Sequence, residues 1–368
     1  MRVAPRPWLE LVDAYVPGEH AADADGSLAS NESFMGASPA VQDAVARAVR
    51  TAHRYPDPLA TSLREELAVE HGVSAEQILV GNGSDELIYL LAWAFAAHGG
   101  RVVCADPCYR IDETSALVAG AKVTKVPLVD WCHDLEAMAR HEGDIAYVVN
   151  PHNPTGTSVR RSELAAFVDS CRAKLPVIDE AYVDFADDPA STTAMPLAAA
   201  GKAVVLRTFS KLHGLAGLRV GYLVGPPDVI AVLRRIRAPF SVNALAQAAA
   251  MAALRDKAHR AAVHAVTVRN RSRLVQLLEA AGLVCLPSQA NFVLAITPDE
   301  DGLLEELRRA GVSARPGSAL GVAGAVRITV PTETGLQRIA AALEAFRSKG
   351  QAHAAEPCRS ASRGSPAT

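Results

Sequence analysis

The segment RTFSKLHGLAGLRVGY, residues 207–222, follows a strand-like run at residues 203–206 and carries one lysine, Lys211, among small and apolar residues. A lysine in such surroundings is costly unless it is paired, neutral or covalently used. In open sheets with parallel strands, ligands bind beyond the carboxyl ends of the strands. The end of this strand is therefore the first place to look for a functional site.

Strand-like and helical patterns alternate on the N-terminal side of this segment, from about residue 39 onward. Short apolar runs such as RVVCAD (101–106) and IAYVVN (145–150) are separated by helical patterns of about ten to fifteen residues. This alternation indicates βαβ units and predicts an α/β protein with a mostly parallel sheet. From about residue 239, a long helical pattern leads into short strands, NFVLAI (291–296) and AVRITV (325–330), which predict a smaller α+β domain.

These patterns divide the chain into four parts. We expect an N-terminal arm, which also contributes to the small domain, in residues 1–35, and a large ligand-binding domain in residues 36–240. A small C-terminal domain follows in residues 241–347. The last stretch, residues 348–368, is small, polar and aperiodic, so we expect a disordered tail.

Composition narrows the class of protein. The chain has 368 residues, of which 49% are apolar and 21% charged, and its net charge is −3. That profile is typical of soluble globular proteins and gives no sign of nucleic-acid or membrane binding. We expect no signal peptide and no membrane span. The six cysteines form no CxxC pair, so we expect reduced thiols in the cytoplasm. We also expect no metal site, although Cys104 with Cys108, or Cys132 with His133, could be metal ligands.

Two further strand-like runs are followed by loops that could bind a ligand. GNGSDE (81–86) opens a helical pattern, and its glycines and free N–H groups suit an anion such as phosphate. The alternative is that the segment is only a tight turn followed by a capped helix. NPHNPTG (150–156) contains two Asn-Pro pairs, which stiffen the turn. They leave Asn153 to face a ligand, unless the segment is a plain loop.

A carboxylate ends another apolar strand, in DEAY (179–182). Asp179 would point into the crevice, or it could cap the next element or join a structural ion pair. Together, the four strand ends supply what pyridoxal phosphate needs. That cofactor requires a lysine for its aldehyde, a carboxylate for its ring nitrogen, donors to its phenolate and an anion site for its phosphate.

At this point the sequence resembles a known family. It is similar to the aspartate-aminotransferase superfamily of fold type I pyridoxal-phosphate enzymes, and most of all to its histidinol-phosphate aminotransferase group. The resemblance covers roughly residues 15–345 and implies the fold of the PLP-dependent transferases. The stretches that carry it, in family order, are GNGSDE, NPHNPTG, DEAY, RTFSKLHGLAGLRVGY, SQANFVL and VRITV.

The resemblance implies roles for individual residues toward the cofactor. Lys211 would bind the aldehyde covalently and then move the substrate α-proton. Asp179 would pair with the ring nitrogen, and Asn153 and Tyr182 would hydrogen-bond the phenolic oxygen. Tyr109 would stack on the ring. The residues that would hold the phosphate are Gly83, Ser84, Asp85, Ser210 and Arg219.

The resemblance also implies a homodimer with shared sites, because Tyr55 in RYPDP is similar to a tyrosine that reaches the phosphate in the neighbouring subunit. Arg327 lies in an otherwise apolar strand, where an unpaired charge is costly, so we expect it to meet a substrate anion. The substrate pocket would also include Tyr15, Asn31 and Asn291. Arg315 is a further candidate, although a surface salt bridge explains it equally well.

Several departures from the group's pattern lie on the substrate side. His152 replaces an asparagine, the segment PCYRIDE (107–113) lacks a second aromatic residue, and His213 stands where an aromatic residue is common. His213 could fill the space of that aromatic residue, or act as an extra acid/base group that tunes the type of reaction.

Three functions follow from these observations. The leading one is transamination of an amino acid or an amino-alcohol phosphate. The alternative is a lyase, decarboxylase or oxidative deaminase acting on a specialised amino acid in secondary metabolism. The third is a ligand-binding regulator without catalytic activity.

Overall fold

The structure is a computed structural model that describes residues 4–355, and its strands form two sheets. The large sheet contains β1 to β7 and the small sheet contains β8 to β11. The strands are β1 (Ile78–Gly81), β2 (Arg101–Asp106), β3 (Lys122–Pro127), β4 (Gly143–Val149), β5 (Ala173–Asp179), β6 (Val204–Thr208), β7 (Gly221–Val224), β8 (Val284–Cys285), β9 (Phe292–Ile296), β10 (Arg315–Pro316) and β11 (Ala325–Thr329).

Helices cover the large sheet and complete the small domain. In chain order they are α1 (Pro39–Ala48), α2 (Thr61–His71), α3 (Gly83–Phe95), α4 (Arg110–Val118), α5 (Leu135–Arg140), α6 (Arg161–Ser170), α7 (Pro189–Thr192), α8 (Met195–Ala199), α9 (Pro227–Ile236), α10 (Ala244–Arg255), α11 (Lys257–Ala280), α12 (Glu300–Arg309) and α13 (Glu333–Ala355). None of these helices is long and apolar enough to cross a lipid bilayer.

The large sheet has the order β1-β7-β6-β5-β4-β2-β3. The pairs from β6 through β3 are parallel, and β7 runs antiparallel to both of its neighbours. The mostly parallel α/β prediction is therefore confirmed. Because β4, β5 and β6 are adjacent and parallel, the segments that follow them lie together at one edge of the sheet.

The pleat decides which way Asp179 points. Successive side chains of a strand face opposite sides of the sheet. Leu175 and Val177 pack with α3, α4 and α9 on one face, whereas Ile178 packs with α1, α2, α6 and α10 on the other. Asp179 continues the first series and ends β5 on the side of α3 and α4.

The small domain forms around an antiparallel sheet of order β10-β11-β9-β8. Its core combines residues of β9 and β11 with apolar faces of α11, α12 and α13. Residues of the N-terminal arm also contact this domain: Leu28 lies in its core and Ser27 forms a β-bridge with Ser313.

The structure differs from the predicted domain limits in two places. The buried alanines of α10 pack in the large-domain core, beyond the predicted boundary at residue 240. An alanine-rich helix has little amphipathic asymmetry, so its sequence does not say which core it joins. Helix α13 runs through Ala355, past the predicted start of the tail at residue 348. The rest of that tail, residues 356–368, lies outside the described residues, as do residues 1–3.

Candidate active site

A cavity of about 540 Å³ lies where the carboxyl ends of β4, β5 and β6 meet the start of α3, the N-terminal arm and β11. This volume is in the range typical of small-molecule sites. Most of the residues expected from the sequence line it. They are Tyr15, Asn31, Ser84, Asp85, Tyr109, Asn153, Asp179, Tyr182, Ser210, Lys211, Arg219, Arg315 and Arg327.

Lys211 turns its amine toward this cavity. The apolar neighbours Phe209 and Leu215 are buried, but Lys211 itself is only half-buried. Its Nζ donates to the carbonyl oxygen of Ser30 at 3.2 Å and lies 5.6 Å from the ring centre of Tyr182. No ion pair to Lys211 occurs within residues 4–355, so the amine is available to a ligand.

The start of α3 forms a cradle for an anion. Gly83 has a φ of +75°, and a Cβ there would lie only 2.5 Å from Nη2 of Arg219. The Arg219 guanidinium is thus held against the first turn of the helix, and its Nη1 also donates to the Ser210 hydroxyl at 3.4 Å. A guanidinium, a hydroxyl and free helix N–H groups together favour a phosphate.

Asp85 has a different place from the one expected. Its carboxylate accepts hydrogen bonds from the Tyr109 hydroxyl at 3.0 Å and from Nη2 of Arg219 at 3.2 Å. A carboxylate would repel a phosphate, so the Asp85 side chain orients Tyr109 and Arg219, and only its backbone N–H could bind an anion.

Asp179 is a buried carboxylate that no cation pairs with among residues 4–355. Its side chain is 2% exposed, and Oδ1 accepts from the N–H of Ala181 at 2.9 Å. Burial, together with the nearby Asp85 and Glu180 carboxylates, raises the pKa of Asp179 to about 7, although the hydrogen bond from Ala181 acts in the opposite direction. A positively charged ring nitrogen would compensate this cost.

Two amides and a phenol also line the cavity near Lys211. Asn31 donates through Nδ2 to the Tyr182 hydroxyl at 3.0 Å. The Oδ1 of Asn153 accepts from Nη1 of Arg327 at 2.7 Å, which leaves the amide nitrogen of Asn153 as its available donor. Asn291 was expected in the pocket but lies behind it, where its Nδ2 donates to the carbonyl oxygen of Asn31 at 3.1 Å.

Two arginines lie side by side on the small-domain side of the cavity. Arg315 and Arg327 are directly opposite each other in the β10–β11 pair and are 8% and 6% exposed. Arg327 donates to the carbonyl oxygen of Ala29 at 2.8 Å, and Arg315 to that of Val16 at 2.9 Å. Neither forms an ion pair within the described chain, so the surface salt bridge considered for Arg315 is wrong.

Tyr55 does not reach this cavity. Its side chain is 82% exposed and stacks on Phe240, with ring centres 4.6 Å apart. The placement agrees with a residue that serves another molecule rather than its own site.

The two unusual histidines also lie outside the cavity wall. His213 is buried with its ring 4.7 Å from that of Phe209, and burial lowers its pKa to about 4. This geometry favours the simpler interpretation, in which His213 fills the space of an aromatic residue. His152 is buried as well, with Nδ1 at 2.9 Å from the Thr155 hydroxyl and Nε2 at 3.1 Å from the Pro107 carbonyl oxygen. It supports the turn that precedes Tyr109.

Sequence analysis missed one buried acid close to the site. Asp112 lies in the first turn of α4, on the face that packs against the sheet, and neither of its carboxylate oxygens has a hydrogen-bond partner among the described residues. Burial raises the pKa of Asp112 well above the usual carboxyl range. The sequence signal for this residue is an acid placed among the buried positions of a helix. It lies in PCYRIDE (107–113), the segment that lacks the second aromatic residue.

Replacing Asp112 with leucine is expected to stabilise the cofactor-free protein at pH 8 by about 1–3 kcal/mol, because a buried group without a partner is removed. The folded-state pKa is above the unfolded value, so the folded state binds more protons and wild-type stability falls as pH rises above the ordinary carboxyl range. The gain should therefore be smaller at pH 5. Urea unfolding at both pH values measures it, with Ser115→Ala on the same buried helix face as the control. A loss of stability at pH 8 would show that the carboxylate has a partner.

The three parts of the cavity match the three ends of pyridoxal phosphate, whose aldehyde, ring nitrogen and phosphate each need a different partner. The available lysine, the buried carboxylate and the cradle at α3 fit these needs. The fold and the site together define the class of pyridoxal-phosphate-dependent transferases.

Comparison with known proteins narrows this class. The family model for class I and II aminotransferases matches residues 27–343. Histidinol-phosphate aminotransferase of Anaeromyxobacter sp. (strain Fw109-5) is 38% identical over 353 residues, which cover 92% of this chain and 97% of that protein. Aromatic amino acid aminotransferase of Thermobifida fusca (strain YX) is 40% identical over 323 residues, or 85% of this chain and 90% of that protein.

A solved structure agrees with these relatives. Histidinol-phosphate aminotransferase of Sinorhizobium meliloti, in complex with pyridoxal-5'-phosphate, superposes with a TM-score of 0.85 at 26% identity, covering 95% of this chain and 99% of that one. The chain belongs to the class I and II aminotransferase family and is a pyridoxal-phosphate-dependent aminotransferase. The lyase, decarboxylase, deaminase and regulator alternatives gain no support from these relatives.

Proposed function

We propose that this aminotransferase acts on an amino-alcohol phosphate of the histidinol-phosphate type, with a 2-oxo acid and its amino acid as the other substrate pair. The single observation that carries this proposal is the arginine pair of β10 and β11. Like charges directly opposite each other in a sheet are destabilising. Arg315 and Arg327 are nevertheless both buried, both line the cavity and both lack a carboxylate partner within the described residues.

A phosphate dianion would compensate this cost better than one carboxylate. Nε of Arg327 is buried without a hydrogen-bond partner among the described residues, and the guanidinium is planar with donors in a fixed fork. Two such forks suit the several oxygens of a phosphate group. The substrate would then lie with its phosphate at the arginines and its amine toward Lys211.

The chain's own residues would divide the reaction between them. Bound pyridoxal phosphate supplies the electron sink that allows a bond at the amino-bearing carbon to break. Nζ of Lys211 would take the proton from that carbon and hold it for the return step. Asp179 would hold the ring nitrogen protonated, while Tyr109, oriented by Asp85, would stack on the ring.

A second candidate substrate is an aromatic amino acid. The Thermobifida fusca relative is an aromatic amino acid aminotransferase. The cavity wall also carries apolar side chains, among them Leu11, Ile111 and Leu117, which an aromatic ring could contact. In that case the substrate carboxylate would bind Arg327 alone.

We further propose a homodimer in which Tyr55 completes the phosphate site of the other subunit. Tyr55 is 82% exposed and does not line the cavity of its own subunit, which supports this assignment. A cytoplasmic location is also proposed, since the cysteines described by the structure are all free.

The test is a half-reaction in separate cuvettes. The cofactor-loaded enzyme is mixed with histidinol phosphate, histidinol, L-phenylalanine or L-glutamate, the visible absorbance of the cofactor is followed, and the product is identified by mass spectrometry. We expect histidinol phosphate to react at far lower concentration than histidinol. Reaction with L-phenylalanine but not histidinol phosphate would favour the second candidate.

Replacing Arg315 with glutamine should weaken the response to histidinol phosphate by about 10- to 150-fold, the range for losing one charge-assisted hydrogen bond. The response to histidinol should change far less, because histidinol lacks the phosphate. Arg308→Gln, on the exposed side of α12, is the matched control in the same small domain. Equal use of histidinol and its phosphate by the wild-type enzyme would contradict the proposal.

A further inference from the structure

Tyr55 is held by a second aromatic side chain on its own subunit. Its ring stacks on Phe240, with ring centres 4.6 Å apart and planes 23° apart. Tyr55 also precedes Pro56, which restricts its backbone to extended conformations. The Tyr55 side chain is 82% exposed, but the stacking on Phe240 and the restricted backbone before Pro56 limit the directions in which it can point.

Phe240, which makes this contact, has an unusual backbone conformation. Its φ is +61°, a region that bulky residues rarely occupy and that costs free energy. Burial does not repay that cost, because the side chain is still 39% exposed. Residues strained in this way are enriched at functional sites, so the conformation of Phe240 motivates a search for a role.

The segments that carry both rings are tied to the phosphate cradle of their own subunit. Nη1 of Arg237 donates to the carbonyl oxygen of Val80 at 2.6 Å, and its Nη2 donates to that of Pro58. Nδ2 of Asn82, the residue before Gly83, donates to the carbonyl oxygen of Ser241 at 2.7 Å. One set of hydrogen bonds thus fixes the strand that leads into the cradle, the Tyr55 loop and the Phe240 turn.

We propose that Phe240 is a positioning residue that acts across the subunit interface. It holds the Tyr55 ring in the direction needed to reach the cofactor phosphate of a second copy of this chain. This inference rests on the shared-site dimer proposed above. Its specific consequence is that damage to Phe240 weakens the active site of the other subunit.

Mixed dimers test this consequence. Two differently tagged chains are co-expressed, and one of them carries Lys211→Ala, so that only the site with the intact lysine is active. In the trans arrangement, Phe240→Leu is placed on the chain with Lys211→Ala, whose Tyr55 serves the active site. In the cis arrangement, Phe240→Leu is placed on the chain with the intact lysine.

The readout is the pyridoxal phosphate concentration that half-saturates the remaining site. We expect it to be about 2- to 12-fold higher in trans than in cis, the range for losing one aromatic pair. Phe240→Trp, which keeps a stacking ring, should restore most of the affinity. A larger effect in cis would mean that Phe240 serves its own cradle and would overturn the inference.

A second readout needs no cofactor. Amide hydrogen exchange of the cofactor-free homodimer should be faster at residues 52–58 in Phe240→Leu than in the wild type or in Phe240→Trp. Unchanged exchange in that segment would contradict a positioning role.

Tyr55→Phe in the same two arrangements separates the two proposals. If it weakens the active site in trans while Phe240→Leu does not, the shared site stands and the role of Phe240 fails. If Tyr55→Phe has no effect in trans, the shared site itself is wrong.

Discussion

Replacing Lys211 with methionine is expected to lower turnover by roughly 10⁴-fold or more, since both a covalent attachment point and a proton-transfer group are lost. The structure supports so large an effect because this amine lines the cavity, donates only to the carbonyl oxygen of Ser30 at 3.2 Å, and has no ion-pair partner within residues 4–355. Steady-state kinetics with the best amino donor measure the loss.

The same cavity offers a matched control. Lys125 also lines it, but its amine is bound to the Glu113 carboxylate at 2.9 Å. Lys125→Met should lower turnover by no more than about fivefold, since partly exposed ion pairs contribute up to about 1 kcal/mol. Borohydride reduction of the wild-type holoenzyme, followed by mass spectrometry, should find the cofactor on the peptide that contains Lys211. An equal loss in both variants, or attachment at another lysine, would contradict this assignment.

The large sheet and the cofactor side of the cavity could be predicted because they depend on local patterns. Apolar runs that alternate with helices define parallel strands. Asp179 ends such a strand, and Lys211 and Asn153 lie within four residues after the end of one. Adjacent parallel strands bring these ends together whatever the rest of the chain does.

Other features depend on contacts between distant segments, which a single sequence does not reveal. Asn291 follows the pattern of a pocket residue, yet the loop at Asn31 lies between it and the cavity. Asp112 was missed because its lack of hydrogen-bond partners within the described part of the chain is a property of its surroundings, not of its helix. The pairing of Arg315 with Arg327 likewise depends on strand register.

Replacing Asp179 with asparagine is the second change for which we expect a large effect. The amide cannot compensate a protonated ring nitrogen, so turnover should fall by roughly 10²- to 10⁴-fold, equivalent to the 3–5 kcal/mol of breaking a buried charge pair. Asp179→Glu keeps the charge and should retain more activity than Asp179→Asn, which separates the loss of charge from a change in shape. If turnover of Asp179→Asn stays within about tenfold of wild type, Asp179 does not carry this role. The lost free energy would then be smaller than that of a one-unit pKa shift.

The same substitution should have the opposite effect on the stability of the cofactor-free protein. Burial raises the pKa of Asp179 from 3.8 to about 7, so the folded state binds more protons than the unfolded state between these values, and stability falls as pH rises through that window. Above pH 7 the full cost applies, and a shift of this size corresponds to up to about 4 kcal/mol. Asp179→Asn avoids the charge and should unfold at higher urea concentration than wild type at pH 8, with a smaller difference at pH 5.

Loss of activity together with a gain in stability cannot come from misfolding. A variant that lost both would instead show that the Asp179 carboxylate stabilises the fold, and that its hydrogen bond from Ala181 outweighs the cost of its burial. The two measurements on one variant therefore distinguish a carboxylate kept at this strand end for the cofactor from one kept for the fold.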